Sequence, residues 1–245
     1  MAHIDGASET AVELATSNIR FGPGVTRELG YDLADRGLRS ALVLTDPYLL
    51  GLHPVRCALS SLEESGIRTT VYSDVQVEPT DRSFNRAIER ATEVEPDAFV
   101  AVGGGSVIDT AKAANLYSTY PADFLHYVNP PIGQGAPVPG PLKPLFAIPT
   151  TAGTGSETTG VAIFDLEHMH AKTGIADRGL KPTLGLLDPD NTRTLPPAVA
   201  ASTGLDVLSH AIESYTAMDY RKRPAPARPK SVSYTHLTLP TKRIV

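Results

Sequence analysis

The chain lacks several features that would assign it to a class of protein at once. Cys57 is the single cysteine among 245 residues, which excludes an internal disulfide framework. No apolar run approaches the roughly 20 residues that a membrane-spanning helix needs. Residues 1–16 contain no Lys or Arg, unlike a secretory signal or an Arg-rich transit peptide. We therefore expect a cytoplasmic protein with no membrane partner, and a mitochondrial-matrix protein if a transit peptide is missing from the sequence.

Clustered positive charge is absent from most of the chain. The net charge is −5, and residues 221–245 hold seven basic side chains and no acid, so residues 1–220 carry −12. Binding to nucleic acid needs clustered cations that contact phosphates, so this acidic body predicts no nucleic-acid partner.

The hydrophobic pattern predicts an α/β fold. Short apolar runs alternate with helical periods, and the first three strands are each followed by a helix, as crossovers in a parallel sheet require. The predicted strands are 41–45, 67–72, 98–102, 145–148, 161–164 and 183–187. The predicted helices are 24–36, 54–64, 81–93 and 106–117, and a loop rich in Pro and Gly is expected over 121–144.

The pattern changes near residue 195. We expect an α/β domain over residues 15–194, followed by the start of an all-helical domain over 195–230, with helix at 198–202 leading into 205–217. Residues 231–245 have neither the helical nor the strand period. They resemble translated sequencing-adapter sequence, and we interpret them as a non-native tail.

Three consecutive glycines stand where a predicted strand turns into a predicted helix: Gly103, Gly104 and Gly105, followed by Ser106. Glycine lets the backbone approach a ligand closely and adopt positive φ, and a helix N-terminus offers free N–H groups. The pattern favours a pyrophosphate site over the alternative, a tight turn with Ser106 as the helix N-cap. The usual dinucleotide fingerprint G-x-G-x-x-G is absent, so a nucleotide-binding fold here would be a variant.

Polar residues also follow two other predicted strands. Asp46 can accept hydrogen bonds from the adenosine ribose and repel a 2′-phosphate, which favours NAD over NADP; the alternative is a loop or capping residue. The loop after the 145–148 strand is rich in small hydrogen-bonding residues, which we expect to line the same cleft; the alternative is a polar loop capped by Ser156. These residues are Thr150, Thr151, Thr154 and Ser156.

Asp206 and His210 lie four residues apart in a predicted helix, so their side chains leave the same face. A carboxylate and an imidazole suit Fe²⁺ or Zn²⁺. The apolar neighbours place the pair at a buried seam, which favours metal binding over a surface pair of small energetic weight. Two ligands do not hold a catalytic metal, so at least one more is required.

Three motifs occur in order along the chain: GGGSVIDTAKAAN, PTTAGTGSETT and GLDVLSHAIESYT. Together they resemble the iron-containing (group III) alcohol dehydrogenases, most closely the hydroxyacid–oxoacid transhydrogenase branch. The resemblance implies an N-terminal domain that binds NAD, a C-terminal helical domain that carries the metal, and a homo-oligomeric complete enzyme.

The resemblance also implies roles for individual residues. Gly104, Gly105 and Ser106 would meet the pyrophosphate, with Asp109 beside it. Asp46 would hold the ribose and Lys172 would reach the cofactor. The nicotinamide side would be lined by Thr150, Thr151, Thr154 and Ser156, and two of four metal ligands would be Asp206 and His210.

The implied function is an NAD-linked, metal-dependent oxidoreductase acting on a primary alcohol or hydroxy acid, with hydride passing from 4-hydroxybutyrate to 2-oxoglutarate. The sequence departs from the family in two places. The family's two later histidine ligands lie in a helical region that is absent here, so we expect a fragment that is inactive alone. Gly160 stands where many members have Asn, which we expect to affect substrate choice only.

Three other functions stay open. The chain could bind a nucleotide without turnover, or belong to another alcohol dehydrogenase of the same family. A metal-dependent lyase resembling the dehydroquinate synthases would need phosphate-binding cations near the metal helix, and we find none before Arg221.

Overall fold

The computed structural model describes residues 17–217, which form an α/β fold. Within these residues, eight strands and five α-helices occur in the order β1 (Ile19–Phe21), α1 (Leu29–Ala34), β2 (Ser40–Leu44), α2 (His53–Glu64), β3 (Arg68–Tyr72), α3 (Asp81–Val94), β4 (Ala98–Gly103), α4 (Gly105–Thr119), β5 (Leu145–Pro149), β6 (Val161–Leu166), β7 (Ala171–Ala176), β8 (Leu184–Leu187) and α5 (Pro197–Thr216).

Six of these strands form one parallel sheet in the order β1-β8-β5-β4-β2-β3. Parallel neighbours need a crossover connection, which α2, α3 and α4 provide after β2, β3 and β4. Val100 of β4 pairs with Val43 on one side and with Phe146 on the other, so the apolar centres of the strands stay in register. The predicted parallel α/β architecture is confirmed.

Both faces of the sheet are buried against helices. Along β2, Val43 packs in a cluster with Leu62 of α2, whereas Leu42 packs on the other face with Ala87 of α3. Every residue of β4 and of β5 is buried. A strand buried on both faces has an almost continuous apolar sequence, which is why these two strands could be recognised from the sequence.

The helices differ from the predictions mainly at their ends. The predicted helix at 24–36 is split into a 3-10 turn over Val25–Glu28 and the shorter α1. The N-terminus of α3 has a capping box, in which Thr80 Oγ1 accepts from the Ser83 N–H and Ser83 Oγ accepts from the Thr80 N–H. The predicted loop at 121–144 contains neither helix nor strand.

A separate antiparallel hairpin, β6–β7, packs beside the parallel sheet. The predicted strand at 161–164 is confirmed as β6, but its partner β7 was not predicted. Phe164 on β6 contacts Phe84 of α3, with ring centroids 5.3 Å apart. The hairpin is therefore attached through a third apolar cluster, outside the main sheet.

The last described element, α5, is one continuous helix that begins with Pro197 at its first position. None of its residues is buried, and Leu205, Leu208 and Ile212 are each more than half exposed. The expected buried seam around Asp206 and His210 is therefore wrong for the described chain. The domain boundary near residue 195 stays a prediction, and the predicted tail at 231–245 lies outside the described residues.

In the part of the chain that the structure describes, the helices are too short or too polar to cross a membrane.

Asp188 connects the end of β8 to the turn after β1. Its carboxylate is buried and accepts hydrogen bonds from the N–H groups of Gly24 (2.9 Å), Thr26 (3.1 Å) and Asp190 (3.1 Å) and from the Thr26 hydroxyl (2.8 Å). Burial raises the pKa of Asp188, but these hydrogen bonds to the charged form outweigh it, and the pKa lies below its usual value.

We expect Asp188 to make folding sensitive to acid. Because its folded pKa lies below the unfolded value of about 3.9, its stabilisation is present above that pH and is lost as the pH falls through the folded pKa. Asp188→Asn should lower the free energy of unfolding at pH 7 by about 2–4 kcal/mol and flatten its pH dependence below about pH 5. Urea unfolding at several pH values measures this.

The control is Asp35→Asn, at an exposed aspartate after α1. That variant should change the free energy of unfolding at pH 7 by less than about 0.5 kcal/mol, as surface substitutions usually do. Equal slopes for the parent and Asp188→Asn between pH 5 and pH 3 would contradict the prediction.

Candidate cofactor and metal site

A cleft of about 510 Å³ opens at the carboxyl edge of the parallel sheet. Eight of the thirteen residues predicted from the sequence line it: Gly105, Ser106, Asp109, Thr154, Ser156, Lys172, Asp206 and His210. The structure therefore brings most of the predicted cofactor residues together with the predicted metal ligands. Six further lining residues were not predicted: Glu78, Pro79, Thr159, Val161, Ile163 and Phe164.

The glycine turn joins β4 to α4 at one end of this cleft. The helix begins at Gly105 with Gly104 as N-cap, so Ser106 is not the N-cap; its Oγ instead accepts from the Glu78 N–H at 3.3 Å. Gly104 has φ −75°, and none of the three glycines has positive φ. Space is the reason for glycine here, because a Cβ on Gly105 would lie 2.7 Å from Thr154 Oγ1 and 2.9 Å from its Cγ2.

The loop after β5 packs directly on this turn. The Thr150 N–H donates to the Gly103 carbonyl at 3.1 Å, and Thr154 Oγ1 donates to Ser156 Oγ at 3.1 Å. Thr154 and Ser156 line the cleft. Four other predicted residues do not line it: Gly103, Gly104, Thr150 and Thr151. The loop thus presents two hydroxyls beside the free N–H groups of α4.

Asp46 lies outside the cleft lining, just after β2 at the same edge of the sheet. Its Oδ1 accepts from the Tyr48 N–H at 2.8 Å and from the Leu49 N–H at 3.0 Å. Asp46 therefore closes a turn, which is the loop alternative weighed in the sequence, since α2 begins only at His53 with Leu52 as its N-cap. A ribose role stays a prediction.

Two ion pairs border the cleft. Lys172 on β7 bonds Glu78 at 2.7 Å on the surface, and this hydrogen bond raises the pKa of Lys172. Asp109 and Lys112 of α4 form a buried pair at 3.3 Å. Burial raises the pKa of Asp109 and lowers the pKa of Lys112, and in each case the partner's charge acts in the opposite direction.

Lys112 was not predicted as a site residue, although its position three residues after Asp109 in the same predicted helix was a visible signal.

Asp206 and His210 reach the cleft because α5 crosses the loop after β5. A Cβ on Gly153 would lie only 2.8 Å from Thr203 Cβ, so helix and loop are in close contact there. Thr203, Asp206 and His210 recur at the helical spacing and share this face. His210 Nε2 lies 3.7 Å from Asp206 Oδ1, and both side chains are about 40% exposed. Within residues 17–217, no group of three or more His, Cys, Asp or Glu side chains could hold a metal.

Comparison with known proteins assigns this arrangement to a family. The family described as iron-containing alcohol dehydrogenase matches residues 16–189. The chain belongs to the iron-containing alcohol dehydrogenase family. This result confirms the family that the three motifs resemble.

Two similar curated proteins are the mitochondrial hydroxyacid–oxoacid transhydrogenases of Xenopus laevis and Homo sapiens. They are 58% and 56% identical to this chain over 224 residues, which are 91% of the chain and 48% of each relative. The chain therefore spans about half the length of the curated relatives it matches.

Two solved structures have a similar fold over the part that matches. The sulfoacetaldehyde reductase of Bifidobacterium kashiwanohense in complex with NAD⁺ has a TM-score of 0.78 at 30% identity, over 85% of this chain and 54% of that one. The NADH-dependent butanol dehydrogenase A of Thermotoga maritima has a TM-score of 0.78 at 27% identity, over 86% of this chain and 52% of that one.

The backbone around Gly160 leaves no room for a side chain, so glycine is required there for a steric reason, apart from any effect on substrate choice. A Cβ there would lie 2.3 Å from the Asp177 carbonyl oxygen, while the Asp177 N–H donates to the Gly160 carbonyl at 2.9 Å. Backbone atoms cannot rotate away as a side chain can. A larger residue at this position requires the start of β6 to move away from residue 177.

We expect Gly160→Ala to lower the free energy of unfolding by about 1–3 kcal/mol, as overpacking does. The matched control is Gly204→Ala in α5, where a Cβ meets no heavy atom within 4 Å. That change should be neutral or stabilise the helix by up to about 1 kcal/mol. Thermal melts followed by circular dichroism compare the two, and equal melting temperatures would refute the steric argument.

Proposed function

We propose that this chain is the NAD-binding part of a metal-dependent oxidoreductase that acts on a primary alcohol or hydroxy acid. The observation that carries the proposal is the single cleft shared by the glycine turn and by Asp206 and His210. The finer proposal is a hydroxyacid–oxoacid transhydrogenase, supported by relatives of that name at 56–58% identity. By the resemblance, its substrates would be 4-hydroxybutyrate and 2-oxoglutarate.

NAD fits the cofactor end of the cleft. The first N–H groups of α4 and the positive end of its dipole face a pyrophosphate, with Ser106, Thr154 and Ser156 as hydroxyl partners. Lys172 adds a cation on the hairpin side of the cleft, and Asp46 is proposed to hold the adenosine ribose at the neighbouring strand end. Bound NAD supplies the hydride acceptor. The chain's own part is to bind and orient the cofactor along the carboxyl edge of the sheet.

Fe²⁺ or Zn²⁺ fits the donor types at the other end. Asp206 and His210 offer one oxygen and one nitrogen on the same helix face, and both point into the cleft. A divalent metal held there supplies Lewis-acid polarisation of the substrate oxygen. Further ligands are required, because two do not hold a catalytic metal.

The remaining parts of the proposal follow the relatives. Residues 15–194 would form the NAD-binding domain and 195–230 the start of the metal-binding domain. The relatives' names support a mitochondrial location over the cytoplasmic one. A homo-oligomeric complete enzyme is proposed from the family resemblance.

Nucleotide binding without turnover is the second candidate. It is favoured by the presence of two, and not three, metal-ligating side chains together in residues 17–217. An assay of alcohol-dependent NAD reduction by this chain with added Fe²⁺ separates the two functions. Measurable turnover would favour the enzyme.

We expect NADH to bind this chain saturably, with enhanced nicotinamide fluorescence. Lys172→Met removes the cation that lines the cleft and should raise the dissociation constant about tenfold. Lys143→Met is the matched control, since Lys143 precedes β5 at the opposite edge of the sheet. Failure of the parent to bind NADH would refute the proposed cofactor, and equal effects of both variants would refute the role of Lys172.

Asp206 and His210 should bind Zn²⁺ together. Adding Zn²⁺ to this chain should shift the NMR resonances of the His210 imidazole, and the Asp206→Ala/His210→Ala double variant should bind at least about tenfold more weakly. His168→Ala, at an exposed histidine in the turn after β6, should bind as the parent does. Retention of the parent's affinity by the double variant would refute the metal site.

A further inference from the structure

Lys112 is the one charged side chain of α4 that has no exposed surface at all in the described chain. It lies on the helix that the glycine turn begins, two turns from Gly105. Its Nζ donates to three acceptors: the Val161 carbonyl at 2.7 Å, Thr159 Oγ1 at 3.3 Å and Asp109 Oδ1 at 3.3 Å. An ammonium group has three N–H donors, and each has a partner here.

Asp109 completes the contact from the helix side. Its Oδ1 accepts from Lys112, and its Oδ2 accepts from the Ile163 N–H at 3.0 Å. Both carboxylate oxygens are therefore occupied by groups of the protein. The two side chains together link α4 to residues 161 and 163 in the first half of β6, and to residue 159 just before it.

The protonation state follows from these partners. Burial disfavours both charges, lowering the pKa of Lys112 and raising the pKa of Asp109. A neutral amine would have two N–H donors for three acceptors, and a protonated carboxyl would bring a donor to a place where donors already converge. The hydrogen bonds therefore match the ionised pair.

The β6–β7 hairpin is the element that this pair holds. It lies outside the parallel sheet. The Asp165 N–H donates to the Pro79 carbonyl at 2.8 Å, which ties β6 to the start of α3, and the Asp109–Lys112 pair ties β6 to α4. The hairpin supplies Val161, Ile163, Phe164 and Lys172 to the cleft. Lys172 sits opposite Asp165 in the hairpin register, so its position depends on where β6 is held.

We propose that Lys112 is a positioning residue which, through Asp109, Thr159 and Val161, fixes the β6–β7 hairpin against α4 at the spacing that the nicotinamide half of the cofactor requires. This role rests on the proposed NAD site. Lys112 itself does not line the cleft, so it acts through the hairpin.

A role in general stability makes a different prediction. If Lys112 only stabilised the fold, its loss would weaken every ligand to the same extent. If it sets the hairpin position, its loss weakens NADH, which must contact the hairpin, and spares ADP, which needs only the glycine turn and the neighbouring strand end. The change in the NADH dissociation constant compared with that of ADP therefore distinguishes a positioning role from a role in stability.

The test uses the 245-residue chain with Lys112→Met, at a temperature where circular dichroism shows it folded. We expect the NADH dissociation constant to rise at least about tenfold and that of ADP to change by less than about twofold. Amide hydrogen exchange by NMR should speed up at Ile163, whose N–H bonds to Asp109. Lys143→Met is the control and should leave all three quantities unchanged.

Thr159→Val is the milder variant, because it removes one acceptor of Lys112 and keeps the side-chain shape. If Lys112→Met does not fold, Thr159→Val should still weaken NADH more than ADP. Equal weakening of both ligands, or no change in either, in a folded variant would overturn the proposal. If the parent fails to bind NADH, the proposed function fails. Unchanged amide exchange at Ile163 in the variants would separately overturn the positioning role of Lys112.

Discussion

Parallel pairing is the constraint on which the rest of this structure depends. Six strands that run in one direction bring all their carboxyl ends to one edge, and the buried centres of β4 and β5 fix that edge. Residues far apart in sequence, such as Ser106 and Ser156, meet there because each follows one of two adjacent strands. The cleft therefore follows from the sheet topology, and the glycine turn and the loop after β5 supply its polar groups.

The proposed metal side of the cleft is attached to the rest of the fold by fewer contacts than the cofactor side. α5 reaches the site through its close contact at Gly153 and Thr203, and its other faces are exposed. Apolar residues such as Leu208 and Ile212 are more than half exposed, and exposed apolar surface of this kind favours association. The cofactor side of the site is therefore built into the sheet, whereas the metal side rests on one helix.

Much of the fold could be predicted from the sequence because burial leaves a continuous apolar run. This held for β4 and β5, but β1 has three residues and β7 contains Lys, Thr and Gly, so neither shows a strand pattern of its own. Both form because a neighbour pairs with them. That Gly105 and Ser106 would lie at this turn could be predicted, but the physical reason for each residue type could not. Glycine leaves space for Thr154, and Ser106 is not the N-cap of α4. Similarly, the spacing of Asp206 and His210 placed them on one face but could not show that both side chains are about 40% exposed there.

The buried Asp109–Lys112 pair could not be predicted from the sequence, because its partners at residues 159, 161 and 163 are visible only in the structure. Burying two charges is costly, and a pair of apolar residues of similar size would often be at least as stable. An apolar pair, however, would leave the Val161 carbonyl, the Ile163 N–H and Thr159 Oγ1 without the partners they have here. Since each of these polar groups lies on the segment that forms the cleft wall, the pair specifies one position of β6 relative to α4. A hydrophobic contact would permit sliding, whereas the proposed dinucleotide site requires a wall that keeps a fixed distance from the glycine turn.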